Sequence, residues 1–238
     1  EMVAVARAVA AQYEGVSAIE LNLSCPNVQE GRLYFSTEPR LTEQAVRAVK
    51  RVATVPVFAK LSPNVTDITV IAKAAEQGGA DGITVHLRED RRHIQDDDVR
   101  HLRELIHIKL NLELAATAEM VGIACDVKPE MAMLVPEGRH EITTEGGLRI
   151  TGRESELKDI VTRFRDAGIV TSVFIDADLR EVEAASRIGA AVCEVHTGPY
   201  AHAFHAQGRD SESVPVVARL HEIRAAGEAI RKAGMRFN

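Results

Sequence analysis

The strongest constraint on this chain is an alternation that repeats along its whole length. Short runs at "SAIELNLS", "VPVFAKLS", "GITVHLR", "LNLELAA", "EMAMLVP", "VTSVFIDA", "AAVCEVHTG" and "MRFN" read as about eight strands. Between them lie helical patterns such as "EQAVRAVKRVA", "DITVIAKAAEQGG", "DDDVRHLRELIHI", "ELKDIVTRFRDAG" and "REVEAASRIG", several closing on Gly as a helix end does. Strict alternation of strand and helix predicts parallel pairing. Polarity also alternates within the strands. Ile19, Leu21 and Leu23 interleave with Glu20, Asn22 and Ser24; Ala59 and Leu61 with Lys60 and Ser62; Val85 and Leu87 with Thr84, His86 and Arg88. Leu112 and Leu114 flank Glu113, and Val195 lies between Glu194 and His196. A doubly wound sheet is apolar on both faces and does not tolerate a polar face strand after strand. The predicted fold class is therefore α/β, a (β/α)8 barrel with its site at the C-terminal strand ends. The order is re-cut, helix first and strand last, and the helix at Glu1 to Gln12 is expected to fill the place after the final strand. The polar, Gly-rich connection "EGRHEITTEGGLRITGRE" reads as a functional loop, and 1–238 as one domain.

Composition removes several classes. A chain of 238 residues, 45% hydrophobic and 27% charged, can bury one large core. Its formal charge of -6 leaves no basic footprint for nucleic acid, and its apolar runs are too short to span a membrane. Cys25, Cys125 and Cys193 form no CxxC pair and follow no leader, so they read as reduced thiols of a cytoplasmic protein.

Three groups of residues point to chemistry. "NLSCPN" sets Asn22, Ser24, Cys25 and Asn27 at the top of the first strand, where amides can bind a ring edge and a thiolate can take a proton. A small buried Cys before a turn is the alternative. Lys60 either meets an anion or an electron-rich ring, or forms a salt bridge with Glu20. His86 and Arg88 share a strand face, and Arg91, Arg92 and His93 follow, a cationic cluster suited to phosphate. Glu113 on the next strand can shuttle protons beside His86. A solvated charge run with a His-Glu core pair is the alternative, preferred for Arg91, Arg92 and Asp96 to Asp98. His202 and His205, three apart in "GPYAHAFHAQG", read as a surface loop rather than a metal site, and no metal is expected.

Two resemblances then divide the chain. From about Gly15 to Asp81, "AIELNLSCPN", "VFAKLSPNVTDI" and "IAKAAEQGGADG" closely resemble class 1 dihydroorotate dehydrogenases, (β/α)8 flavoproteins. The resemblance implies Cys25 as base, Asn22 and Asn27 as pyrimidine contacts, and Lys60 as a contact to substrate and to the cofactor FMN. From Gly82 to about residue 200, and weakly to 238, "DGITVHLREDRRHI", "LNLELA", "LVPEGRHEITTEGGL", "VFIDAD" and "EVHTGPYA" resemble pyridoxine 5'-phosphate synthase. That family condenses 1-deoxyxylulose 5-phosphate with 3-amino-2-oxopropyl phosphate. The resemblance implies His86 and Glu113 as acid-base groups, and Arg88, His93, Thr143 and Glu194 as substrate contacts. The two stretches, 1–81 and 82–238, join within "EQGGADG".

Each family's pattern is incomplete in this chain. The synthase's Asn-x-Asp-His strand and its late Gly-His loops have no counterpart, and neither have the Gly-rich strands that cradle a flavin phosphate. The expectation is an engineered or recombined (β/α)8 scaffold with partial sites and no efficient turnover, binding phosphate or a small phosphorylated molecule at Arg88, His93 or the "HTG" turn of His196 to Gly198. The alternatives are residual synthase chemistry and FMN-dependent dihydroorotate oxidation. No cofactor is the first expectation, and a homo-oligomer remains open.

Overall fold

The computed structural model describes residues 3, 4, 6–8, 17–24, 37–62, 65–137 and 146–238. Residues 3, 4 and 6–8 are helical. The ordered elements then alternate as β1 (Ile19–Asn22), α1 (Pro39–Lys50), β2 (Val57–Lys60), α2 (Ile68–Gly78), β3 (Gly82–His86), α3 (Asp96–Leu105), β4 (Lys109–Leu114) and α4 (Ala118–Val127). They continue as β5 (Met131–Leu134), α5 (Glu154–Asp166), β6 (Val170–Ile175), α6 (Leu179–Ile188), β7 (Val192–Val195), α7 (Gly198–Ala206), α8 (Val214–Lys232) and β8 (Arg236–Phe237). Each of the eight strand expectations is matched by a strand. The fold class is (β/α)8, the TIM-barrel class.

The contacts separate into two compact units. The first comprises Glu1–Leu114 with Asp126–Met131, the second Ala115–Cys125 with Ala132–Asn238.

In the first unit β1, β2, β3 and β4 pair in parallel and in sequence order. Local chemistry starts and stops the intervening helices. The Glu38 side chain accepts from the Arg40 and Leu41 amides ahead of α1, and Asp67 accepts from Thr69 N ahead of α2. Gly79 closes α2 with a φ of 97°, where a side chain is strained. α1 and α2 pack so closely that a Cβ on Gly78 would sit 2.8 Å from Glu43 O and from Val46 Cβ. The apolar face of the strands, Val57, Ala59, Ile83, Val85, Leu110 and Leu112, is fully buried. Burying a Val or Leu side chain contributes roughly 1.5–3 kcal/mol, so this face supplies much of the driving force. Glu130 closes the end of β4, accepting from Leu110 N at 2.8 Å and from Arg103 at 2.9 Å.

In the second unit β5 to β8 follow in sequence order, and β7 pairs in parallel with β6 and with β8. Phe164, Val173, Ile175 and Ile230 are fully buried there. Asp178 caps α6, and Gly189, with a φ of 89°, ends it. The reading of "GPYAHAFHAQG" as a surface loop is corrected by α7, which Pro199 starts at its first turn. That helix buries none of its residues, so it left no apolar periodicity to find. The patterning likewise did not single out α8, which buries only Val216, Ala226, Gly227 and Ile230 over 19 residues. His202 and His205 are exposed on α7. Among the described residues no three His, Cys, Asp or Glu side chains group to hold a metal ion, and no helix is long and apolar enough to cross a membrane.

Candidate active site

The parallel register decides which polar side chains meet in the first unit. Asn22 pairs with Lys60, Lys60 with Thr84, Thr84 with Asn111, and His86 with Glu113. Side chains two apart share a strand face, so Glu20, Lys60, Thr84, His86, Asn111 and Glu113 form one polar face. At its centre Lys60 Nζ donates to both oxygens of Glu113, at 2.9 Å to Oε1 and 2.7 Å to Oε2. Glu113 is 4% exposed, and a buried carboxylate requires such a partner. His86 Nδ1 stands 3.9 Å from Glu113 Oε2. The expectation of a Lys60–Glu20 salt bridge is corrected accordingly: Glu113 takes the ammonium.

Glu20 finds other company. Its residue is exposed along β1, but its carboxylate turns inward and accepts from Thr84 Oγ1 at 2.5 Å. Burial pushes the Glu20 pKa up and repulsion from Glu113 adds to this, against the opposing pull of Thr84 and Lys60. Thr84 Oγ1 in turn accepts from Asn111 Nδ2 at 3.3 Å. Asn111 Oδ1 is buried without a hydrogen-bond partner. Thr84 and Asn111 join the site through register, a relation that residue identity alone does not reveal.

Arg88, 6% exposed, follows β3 and is gripped by Asp90, Nε to Oδ1 and NH2 to Oδ2 both at 3.3 Å. Burial alone would push the Asp90 carboxyl up. Hydrogen bonds from Arg88, the Arg92 amide and the Arg92 side chain outweigh it and hold the pKa at about 2. Arg91 is turned by a φ of 49° and paired with Asp96 at 2.8 Å, while Arg92 pairs with Asp90 at 2.7 Å. These two cations are thus committed to carboxylates. His93 is exposed, and desolvation followed by the Arg88 and Arg92 charges pushes its pKa down.

Asn22 Oδ1 accepts from Ser24 N at 3.1 Å and Ser24 Oγ at 2.8 Å, closing the turn after β1. Cys25, Asn27 and Thr143 lie outside the described residues. In the second unit Glu194 Oε2 accepts from Asn238 Nδ2 at 3.1 Å. Cys125 and Cys193 are free thiols, and burial pushes Cys193 up to about 12, so it does not act as a nucleophile at neutral pH.

The second unit also holds an open cleft of about 760 Å³, lined among others by Gly146, Asp176, His196, Tyr200 and Arg219. Asp176 Oδ1 accepts from Gly147 N at 2.9 Å and lies 3.1 Å from His196 Nδ1. A Cβ on Gly147 would fall 2.1 Å from Asp176 N, so this close approach requires glycine. His196 is legible in the sequence through its turn, whereas Asp176 is not. The polar "DAD" that ends the β6 run was the available signal.

Parallel strands with acid-base and cationic side chains at their C-terminal ends define a (β/α)8 enzyme-type scaffold. Solved structures agree on the fold: mandelate oxidase with benzoyl-formic acid superposes with a TM-score of 0.59 at 14% identity, covering 99% of this chain and 70% of that one. The same holds for mandelate oxidase with (S)-2-phenylpropionate. Residues 48–238 match the profile of the pyridoxal phosphate biosynthesis protein PdxJ, and the chain belongs to that family. Residues 1–93 match the dihydroorotate dehydrogenase profile. β1 therefore lies in the dehydrogenase match alone, β4 in the PdxJ match alone, and β2 and β3 in both. The pyridoxine 5'-phosphate synthase of Azoarcus sp. (strain BH72) is 72% identical over 172 residues, 72% of this chain and 69% of that protein. That of Aromatoleum aromaticum is 72% identical over 167 residues, 66% of its length, and that of Prochlorococcus marinus 58% over 140 residues, 57% of its length.

Proposed function

We propose that this protein carries out pyridoxine 5'-phosphate synthase-type chemistry, the condensation of a ketose phosphate with an amino-ketone phosphate, in the cytoplasm. The observation that carries the reading is the buried Glu113, fixed by Lys60 and facing His86, in a region matching the synthase family. Such a condensation needs protons removed from carbon and delivered to departing oxygen. Glu113, its oxygens oriented by Lys60, is the base, and His86 beside it exchanges the proton. Arg88, pre-oriented by Asp90, presents a planar guanidinium to a substrate phosphate, and His93 flanks it. Identity at this level supports the reading over that of a recombined scaffold without turnover.

FMN has no part in this reading. Lys60, which the dehydrogenase resemblance assigns to flavin and substrate, here donates to both oxygens of Glu113.

The test is turnover of 1-deoxyxylulose 5-phosphate with 3-amino-2-oxopropyl phosphate, followed by chromatographic detection of pyridoxine 5'-phosphate. Product formation abolished by Glu113→Gln supports the proposal. A folded protein that binds neither phosphate ester and forms no product overturns it.

A further inference from the structure

Lys60 is a primary amine on the polar strand face, with a quarter of its side chain open to solvent and its Nζ 2.7 Å from a carboxylate that is itself nearly closed off. An amine so placed can do more than balance charge, because it can add to a carbonyl carbon. We propose that Lys60 forms an imine with phosphorylated ketones, with Glu113 as its proton relay and Arg88 as the anchor for the phosphate. The inference uses first-unit residues only and does not depend on the synthase reading.

Two features of the geometry support it. Glu113 lies within direct proton-transfer distance of Nζ, so the ammonium can release its proton without a water intermediary. The polar face supplies hydrogen-bonding groups in the rows beside Lys60, Thr84 and Asn111 in its own and His86 in the next, suited to stabilising a tetrahedral adduct.

Glu113 takes a proton from the Lys60 ammonium, and the freed electron pair bonds to the carbonyl carbon. The carbonyl oxygen receives the proton from Glu113, giving a carbinolamine. The carbinolamine nitrogen loses a second proton to Glu113, which passes it to the hydroxyl, and the C–O bond breaks to release water. The product is a protonated imine, so one ammonium and one ketone yield one iminium ion and one water, with no redox change.

The experiment is reductive trapping of the full chain with dihydroxyacetone phosphate and sodium borohydride, read by intact mass and peptide mapping. The expected result is one dominant adduct per chain, mapped to the peptide holding Lys60, with weaker labelling by unphosphorylated dihydroxyacetone. Lys60→Arg keeps the positive charge against Glu113 but cannot form an imine, and it should lose labelling by at least about tenfold while its melting curve is kept. Labelling spread over surface lysines, or undiminished in Lys60→Arg, would overturn the proposal, and the native-chain peptide map decides the matter even if the variant fails to fold. Trapping at Lys60 without pyridoxine 5'-phosphate formation leaves the imine standing and removes the synthase reading. Product without trapping does the reverse.

Discussion

The two units handle polar groups in opposite ways. In the first, Lys60, Glu113, Glu20, Thr84 and Asn111 are drawn onto a partly buried strand face and hydrogen-bond to one another, with Asn111 Oδ1 left over. In the second, Asp176 and His196 stand at an open cleft, Asp176 keeping 53% of its side chain exposed. Burial makes the first set interdependent, because each charge that loses its partner is stranded in a medium of low dielectric. The second set can lose a member at small cost. A cluster of chemistry-bearing side chains and an open cleft in one chain thus need not be built from the same kind of interaction.

The largest expected effect is kinetic. Glu113→Gln should lower kcat/KM for the condensation by about 10²-fold or more, the usual contribution of a positioned acid-base group, whereas Asp176→Asn should cost less than about tenfold. Comparable losses in the two variants would erase the contrast. Stability should separate the units in the same direction. Glu113→Ala leaves the Lys60 ammonium without its carboxylate, and about 2–3 kcal/mol should be lost, below the range for fully buried pairs because Lys60 is a quarter exposed. Asp176→Ala should cost under about 1 kcal/mol, as exposed pairs do. Urea unfolding measures both.

Glycine substitutions probe the packing around each site. A Cβ on Gly82 would press into the Phe58 ring at 2.3 Å, but a ring can turn aside. At Gly147 the obstruction is backbone at the end of β6, Asp176 N at 2.1 Å and Ile175 C at 2.3 Å, which cannot. Gly82→Ala should therefore cost about 1–3 kcal/mol and Gly147→Ala more, with Phe58→Leu relieving only the former. The smallest effect concerns pH. The Glu20 pKa is raised in the fold, so its contribution is fully present below the unfolded carboxylate value and is lost as pH rises through the folded one. Glu20→Gln should accordingly gain stability relative to the parent near neutrality and lose that advantage in acid. Asp90, held at about 2, has the opposite sign: its contribution is present above the unfolded value and disappears as pH falls toward 2. Melting temperatures of parent and Glu20→Gln across the acid range decide the first point.

Much of this was written in the sequence in a form that physics can decode. The period-two polarity of "FAKLS", "ITVHLR" and "NLEL" announced a polar strand face, and register then brought His86 and Glu113 opposite each other. What could not be read was reach. Lys60 and Glu20 were equally plausible neighbours on adjacent strands, and only the three-dimensional offset of a long side chain gave the ammonium to Glu113, two strands away. Asp176 escaped for a related reason: an exposed aspartate after a strand is ordinary until a histidine 20 residues on is folded against it. α7 left no trace because a helix that buries nothing needs no apolar stripe.

The central claim is that Lys60 and Glu113, on β2 and β4 and 53 residues apart, act as one unit. A double-mutant cycle with Lys60→Met, Glu113→Gln and the combined variant, read by urea unfolding, tests it most directly. The account predicts a coupling energy of about 1–3 kcal/mol, the double variant being far less destabilised than the sum of the singles. Additivity within about 0.5 kcal/mol would contradict it, for the two side chains would then be neighbours without being partners.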